Sequence, residues 1–238
     1  MNQAFRFKQF QVNDNLSTMK VGTDAVLLGA WATPPTEGRI LDIGTGCGVI
    51  ALMMAQKSNA HITAIDIHEP SVQQAQDNFG LSPWSERLNA INISLEDFTS
   101  THKNCFDFIV SNPPYFINSL KPCKDGLLLA KHADDRFMDV FISSIATLLK
   151  NTGKAAFIIP PNLLEAMLRK SVDKGLFMVR KANIFSKPGT AQTRVVLEFA
   201  MQQTGSAEEE TIFIRNANHS YTEAYKALTN DFYLFLNE

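Results

Sequence analysis

Between Arg39 and Phe199, seven short apolar runs alternate with stretches of helical periodicity, and this alternation constrains the fold more than any other feature. The runs are Arg39–Ile43, His61–Ile65, Asn89–Ile93, Asp107–Val110, Lys154–Ile159, Phe177–Lys181 and Thr193–Phe199. Helical stretches fall at Val49 to Lys57, Ser71 to Phe79, Phe137 to Leu149 and Leu163 to Lys174. In the third, Phe137, Phe141, Ile145 and Leu148 share one face. Strands that are apolar almost throughout are buried on both faces, so the pattern predicts an α/β, doubly wound, mostly parallel sheet covered by helices. At 238 residues the chain reads as one domain, with three segments outside the alternation: 1–36, 115–136 and 201–238. The first opens with Phe5, Phe7 and Phe10 as a short strand or hairpin. The second reads as a long loop, a kind that is usually functional. In the third, Tyr221, Tyr225, Leu228 and Phe232 form one helical stripe of core packing.

Composition closes off several classes. With 45% hydrophobic and 19% charged residues the chain is not disordered. It has no run of about 18 apolar residues and no secretory leader pattern, so neither a membrane span nor a signal peptide is expected. Cys47, Cys105 and Cys123 lack metal-site or disulfide spacing, which suits a reducing, cytoplasmic compartment without a bound metal. The net charge of −2 hides an asymmetry: residues 39–110 carry four basic against eight acidic side chains, and residues 163–194 seven basic against two acidic. Solvated faces explain this as well as a local nucleic-acid footprint does.

Leu41-Asp42-Ile43-Gly44-Thr45-Gly46-Cys47-Gly48-Val49 runs from a buried strand through three spaced glycines into a helix. Glycine is needed where backbone turns tightly against a ligand, and this loop falls at the carboxyl edge of the sheet, where open α/β folds bind ligands. The dinucleotide fingerprint requires glycine where Val49 stands, so the loop fits a nucleoside-type cofactor or a simple tight turn better than a pyrophosphate. Asp66 ends the second strand, where a carboxylate accepts both hydroxyls of a ribose or else caps the helix near Pro70. Glu96 and Asp97 follow the third strand.

The sharpest signal is Asn112-Pro113-Pro114-Tyr115, directly after the fourth strand. Two prolines make an extended, rigid loop that fixes the Asn112 carboxamide and the Pro113 carbonyl at the sheet edge. Two acceptors aimed at one point suit an amino group with two N–H donors. Accepting both hydrogens frees the nitrogen lone pair to attack an electrophilic methyl, while Tyr115 offers a stacking face for an extruded base.

Together these residues resemble class I S-adenosylmethionine-dependent methyltransferases acting on amino nitrogens, over about residues 18–200. The resemblance implies a sheet ordered 3-2-1-4-5-7-6 with the last strand antiparallel. It implies S-adenosylmethionine as cofactor and S-adenosylhomocysteine as product. Gly44, Gly46 and Gly48, with Asp42, would hold the methionine part, Asp66 the ribose, Glu96 and Asp97 the adenine. Asn112, Pro113 and Tyr115 would serve the target amine. Lys20-Val21-Gly22-Thr23-Asp24-Ala25 through Trp31, with Ala130-Lys131-His132, is similar to a bacterial subfamily that methylates N6 of adenine 37 in tRNA1(Val). That likeness implies Thr23 and Asp24 beside the cofactor and a tRNA substrate; no obligate protein partner is evident in the sequence.

For the RNA, the candidates are Lys121, Lys124, Lys131 and His132 in the insertion, with Lys170, Lys174, Arg180 and Lys181. The rival readings are a glutamine methyltransferase acting on release factors, an rRNA or DNA methyltransferase, a non-catalytic RNA-binding scaffold and a nicotinamide oxidoreductase. Only 41 residues precede Asp42, too few for the helical domain the first usually carries. The scaffold has no need of Asn112-Pro-Pro-Tyr115, and the oxidoreductase lacks an evident proton donor.

Overall fold

The computed structural model describes residues 4–114, 124–203 and 205–234, with side chains from 135 onward in the long helix that starts at Lys124. A two-stranded hairpin, β1 (Phe5–Arg6) and β2 (Gln11–Val12), precedes helix α1 (Thr23–Trp31). Then come β3 (Arg39–Ile43), α2 (Val49–Lys57), β4 (His61–Asp66), α3 (Glu69–Gly80), β5 (Leu88–Asn92) and α4 (Leu95–Thr101). The second half is β6 (Phe106–Ser111), α5 (Lys124–Leu148), β7 (Leu149–Ile159), α6 (Leu164–Asp173), β8 (Phe177–Phe185), β9 (Gln192–Ala200), β10 (Glu208–Phe213) and α7 (Glu223–Thr229).

The main sheet runs β10-β8-β9-β7-β6-β3-β4-β5, with β9 antiparallel to both neighbours and every other pairing parallel. Counted from β3, its first seven strands have the expected order 3-2-1-4-5-7-6. The eighth, β10, extends the sheet beyond that expectation. Two apolar layers flank the sheet: one packs α1, α2 and α3 against Ile40, Ala64, Val110 and Ile158, the other packs α5 and α6 against Leu41, Ile109, Phe157 and Leu197. Adjacent strand residues point to opposite faces, which is why Ile40 and Leu41 enter different layers.

Two sequence expectations need correction, and one helix was not expected. The 115–136 insertion is not a loop throughout, because α5 already begins at Lys124. The C-terminal stripe is not one helix: α7 spans only Glu223–Thr229, Tyr221 forms a bridge with Arg215, and Phe232 follows the helix, though Tyr225 and Phe232 are buried in the core as the stripe implied. Helix α1 gave no periodic signal because seven of its nine residues are buried.

Parallel pairing carries the functional consequence. The carboxyl ends of β3, β4, β5, β6, β7, β8 and β10 all emerge on one edge, and the loops that leave that edge build the site.

Candidate active site

The glycine loop starts the site. Gly44, Gly46 and Gly48 have φ of +70°, +54° and +83°, in the left-handed region that other residues avoid. Gly44 and Thr45 donate their N–H groups to Ile65 O, tying the loop to the end of β4. A β-carbon on Gly48 would lie 2.5 Å from Phe79 Cε1, so the third glycine allows α2 and α3 to close on each other. On Gly44 a β-carbon would meet no atom within 4 Å, since this glycine faces a cavity.

That cavity has a volume of about 770 Å³, within the range of small-molecule sites. One end is lined by Asp66, Ile67, Ile93, Leu95 and Glu96 from the ends of β4 and β5. The other end is lined by Ser111, Asn112, Pro113 and Pro114 after β6, facing Thr23 and Asp24 of α1, with Phe137 and Phe141 of α5 forming the wall. Ser111 is buried and donates to Ile43 O at 2.8 Å, which locks the start of the Asn112 loop against the glycine loop.

Three carboxylates hold the frame. Asp66 accepts from Gly46 N at 2.9 Å through one oxygen and from His68 N at 2.9 Å through the other. Asp42 lies behind the loop, fully buried. Its Oδ2 accepts from the Thr45 hydroxyl at 2.7 Å, and burial pushes its pKa up to about 7 despite that bond. Asp24 accepts from Arg194 Nε at 2.7 Å, an ion pair joining α1 to the start of β9.

The segment 13–22 closes the remaining side and contributes Thr18, Met19, Lys20 and Gly22 to the lining. A polar stripe on α3 holds it: Asn78 exchanges hydrogen bonds with the Asn13 backbone and donates to Cys47 O, Gln74 accepts from Leu16 N, and Ser71 accepts from Thr18 N. Asn78 and Ser71 are fully buried, and these backbone partners are what make their burial tolerable.

The structure sorts the expected residues. Thr23, Asp24, Gly44, Gly46, Asp66, Glu96, Asn112 and Pro113 line the cavity together, while Asp42 and Gly48 support it from behind. Asp97 departs from its expected place beside the base. It is exposed, and its carboxylate accepts from the Ser94 hydroxyl at 2.7 Å while Ser94 Oγ accepts from Asp97 N, a reciprocal cap on α4. Tyr115 and Lys121 lie outside the described residues, as do the side chains of Lys124, Lys131 and His132.

Of the remaining four basic candidates, three are ion-paired within the protein and one lies away from the cavity. Arg180 stacks over the Trp31 ring at 4.1 Å and lies within 4 Å of Glu198, Glu208 and Glu210. Lys181 pairs with Glu209 and Lys170 with Asp139. Lys174 ends α6, just before β8 enters the sheet, on the edge opposite the cavity. Residues that sequence reasoning missed include Met19, Ile67, Leu95, Phe137 and Phe141 as lining, and Arg194 as the partner of Asp24. Ile67 carried a readable signal, an apolar residue next to a strand-end acid; it is 76% exposed in the cavity wall.

Comparison with known proteins agrees with this geometry. Residues 17–164 match the family model described as "Methyltransferase small domain". The chain belongs to this methyltransferase family. Proteins named tRNA1(Val) (adenine(37)-N6)-methyltransferase are similar to it over almost their whole length. The one from Bacteroides thetaiotaomicron is 39% identical over 99% of both chains, and that from Phocaeicola vulgatus 43% identical over 98% of both. The Haemophilus influenzae relative of that name is 36% identical, covering 97% of this chain and 98% of its own. Among solved structures, a predicted O-methyltransferase from Agrobacterium tumefaciens superposes with a TM-score of 0.65 at 18% identity, covering 88% of this chain and 96% of its own. Thermus thermophilus TrmN gives 0.53 at 22% identity, covering 74% and 47%. These two establish the methyltransferase fold alone. Among the described residues no helix is long and apolar enough to cross a membrane, and no cluster of His, Cys, Asp or Glu could hold a metal.

Proposed function

We propose that this methyltransferase transfers a methyl group from S-adenosylmethionine to N6 of adenine 37, beside the anticodon, in tRNA1(Val). The observation that carries it is the placement of Asn112 and Pro113 at one end of a cavity whose other end suits a nucleoside.

The cavity residues fit that cofactor. Asp66 is held rigidly by two backbone donors, leaving further lone pairs for ribose hydroxyls. Ile67, Ile93 and Leu95 offer apolar surface for a flat base, and the exposure of Ile67 is of the kind a bound ring covers. The open space over Gly44 admits a chain close to the backbone. Among the described residues, Asp66 and Glu96 give the lining carboxylates with no ion pair, as suits a positively charged ligand, and Lys20 is tied to Asp14.

When bound, the cofactor supplies a methyl already activated by a sulfonium. What remains for the protein is alignment of the amine with that methyl. The Asn112 carboxamide oxygen and the Pro113 carbonyl accept the two N–H groups of the adenine amine. They bind it more strongly as its hydrogens grow acidic in the transition state, so their stabilisation is differential. Phe137 and Phe141 exclude water along one wall. The motif supplies Tyr115 as the stacking face for the extruded base.

Asn112→Ala is the direct test of this mechanism. Turnover should fall by roughly two to three orders of magnitude, the scale for losing one acceptor or donor aimed at the transition state, while S-adenosylhomocysteine still raises the melting temperature as in the wild type. Normal turnover in the variant would overturn the amine-binding role.

A further inference from the structure

The four basic residues that sequence reasoning offered outside the insertion are occupied within the protein or face the wrong edge, which raises the question of what holds the RNA. Topology narrows the answer. An adenine seated at Asn112 leaves its flanking backbone lying across the carboxyl edge of the sheet, on one side of β6 or the other. On one side, the ends of β3, β4 and β5 carry the cofactor cavity together with Asp66, Glu69 and Glu96. On the other side lie the ends of β7, β8 and β10.

This second side is basic. Ile214 N and Arg215 N donate to Phe185 O and Ser186 O, so the segment after β10 runs alongside the segment after β8. Lys187 stands in the β8–β9 turn and Arg215 directly after β10, with Arg194 at the start of β9. Arg215 stacks over Tyr221 at 4.2 Å and donates to the His219 carbonyl and the Tyr221 hydroxyl, all neutral partners. Among the described residues, neither Lys187 nor Arg215 has a carboxylate partner. Of the acids nearby, Asp24 pairs with Arg194 and Glu223 with Lys226, while Glu165 in the first turn of α6 lies exposed beyond the end of β7. Glu208, Glu209 and Glu210 neutralise Arg180 and Lys181 lower in the same strands. Acid and base are thus segregated along β8 and β10, and the positive charge is left at the edge that continues the cavity.

We propose that this rim is the surface that grips the RNA backbone flanking the target adenine. Lys187 and Arg215 contact phosphates, and the Arg215–Tyr221 stack presents a rigid guanidinium. The Arg194–Asp24 ion pair joins the rim to the cavity wall. Adjacent strands lie about 4.8 Å apart, so from β6 to β10 the rim spans roughly 19 Å, a width suited to a folded stem-loop. The inference rests on the reading of the substrate as RNA. It adds which face of the protein that RNA covers.

The test uses full-length protein, S-adenosylhomocysteine and unmodified tRNA, with affinity measured across a salt series. The Lys187→Gln, Arg215→Gln double variant keeps long polar side chains but removes two charges. Its slope of log affinity against log salt should be shallower by about 1.4, and its affinity on the order of tenfold weaker near physiological salt, two lost phosphate contacts at about 0.7 each. The shift in melting temperature given by S-adenosylhomocysteine should stay unchanged, which reports that the cavity is intact. Lys174→Gln, on the opposite edge, should behave as wild type. An unchanged slope in the double variant overturns the rim, and so does an equal loss in Lys174→Gln, which would mark a diffuse charge effect; either leaves the tRNA reading standing. Wild-type protein that neither binds nor methylates tRNA overturns that reading and the rim with it.

Discussion

Asp42 shows what a buried charge costs and where. Its carboxyl is wholly inside the protein, with Oδ2 bonded to Thr45 and Oδ1 without a hydrogen-bond partner among the described residues. Desolvation dominates, and the proximity of Asp66 adds to it, so the folded pKa lies near 7 against an ordinary value of 3.8. Between these values the folded protein keeps a proton that the unfolded chain has lost. Stability therefore declines as pH rises from about 4 to about 7 and levels off above. In Asp42→Asn this dependence is absent. Urea unfolding at several pH values should show the wild type losing a few kcal/mol relative to the variant across that window, at about 1.4 kcal/mol per pH unit at most. Parallel pH profiles for the two proteins would contradict the assignment. At this scale the sequence was partly legible. The glycines and Asp66 could be placed because each answers a local demand at a strand end. Asp97 was placed beside the base, although Ser94-x-x-Asp97 has the spacing of a capping box, and the structure uses it so.

Among the elements, β10 was the least readable. Glu208, Glu209, Glu210 and Thr211 have none of the apolar character of the other strands, because an edge strand needs only one buried flank. Its partner across the register is Arg180-Lys181, and the charges complete each other. Basic side chains there looked like RNA contacts only because their acids lie some 28 residues away in sequence. Arg180 also stands against Glu198, which is fully buried and otherwise supported by Lys154 at 3.1 Å. Arg180→Met, which keeps the packing on Trp31, should lower unfolding free energy by about 1–2 kcal/mol, less than breaking a buried pair outright, because Lys154 still compensates Glu198. Its affinity for tRNA should be unchanged once the variant is folded. A stable variant with weakened tRNA binding would return Arg180 to the RNA surface. Helix α1 escaped notice for the opposite reason: from Ala25 to Trp31 it is apolar all round, so it has no face to betray it.

At the scale of the whole molecule, function follows from the parallel sheet. One edge receives the glycine loop, Asp66, Glu96 and Asn112 from four different strands, separated by up to 68 residues of chain. The seven-strand order was legible through the resemblance of ordered motifs, and so were the cavity's two ends. The side walls were not: segment 13–22 is held by α3 in one layer and Phe137 and Phe141 stand on α5 in the other, and they meet the cavity only through long-range packing. On the reading proposed above, this edge methylates an adenine amine in tRNA. The most direct measurement is transfer of labelled methyl groups from S-adenosylmethionine to total tRNA from cells lacking this enzyme, followed by nucleoside mass spectrometry. Label should appear in N6-methyladenosine, and mass mapping of ribonuclease fragments should place it at position 37 of tRNA1(Val). Label in another nucleoside, or tRNA left unmodified, would overturn that reading.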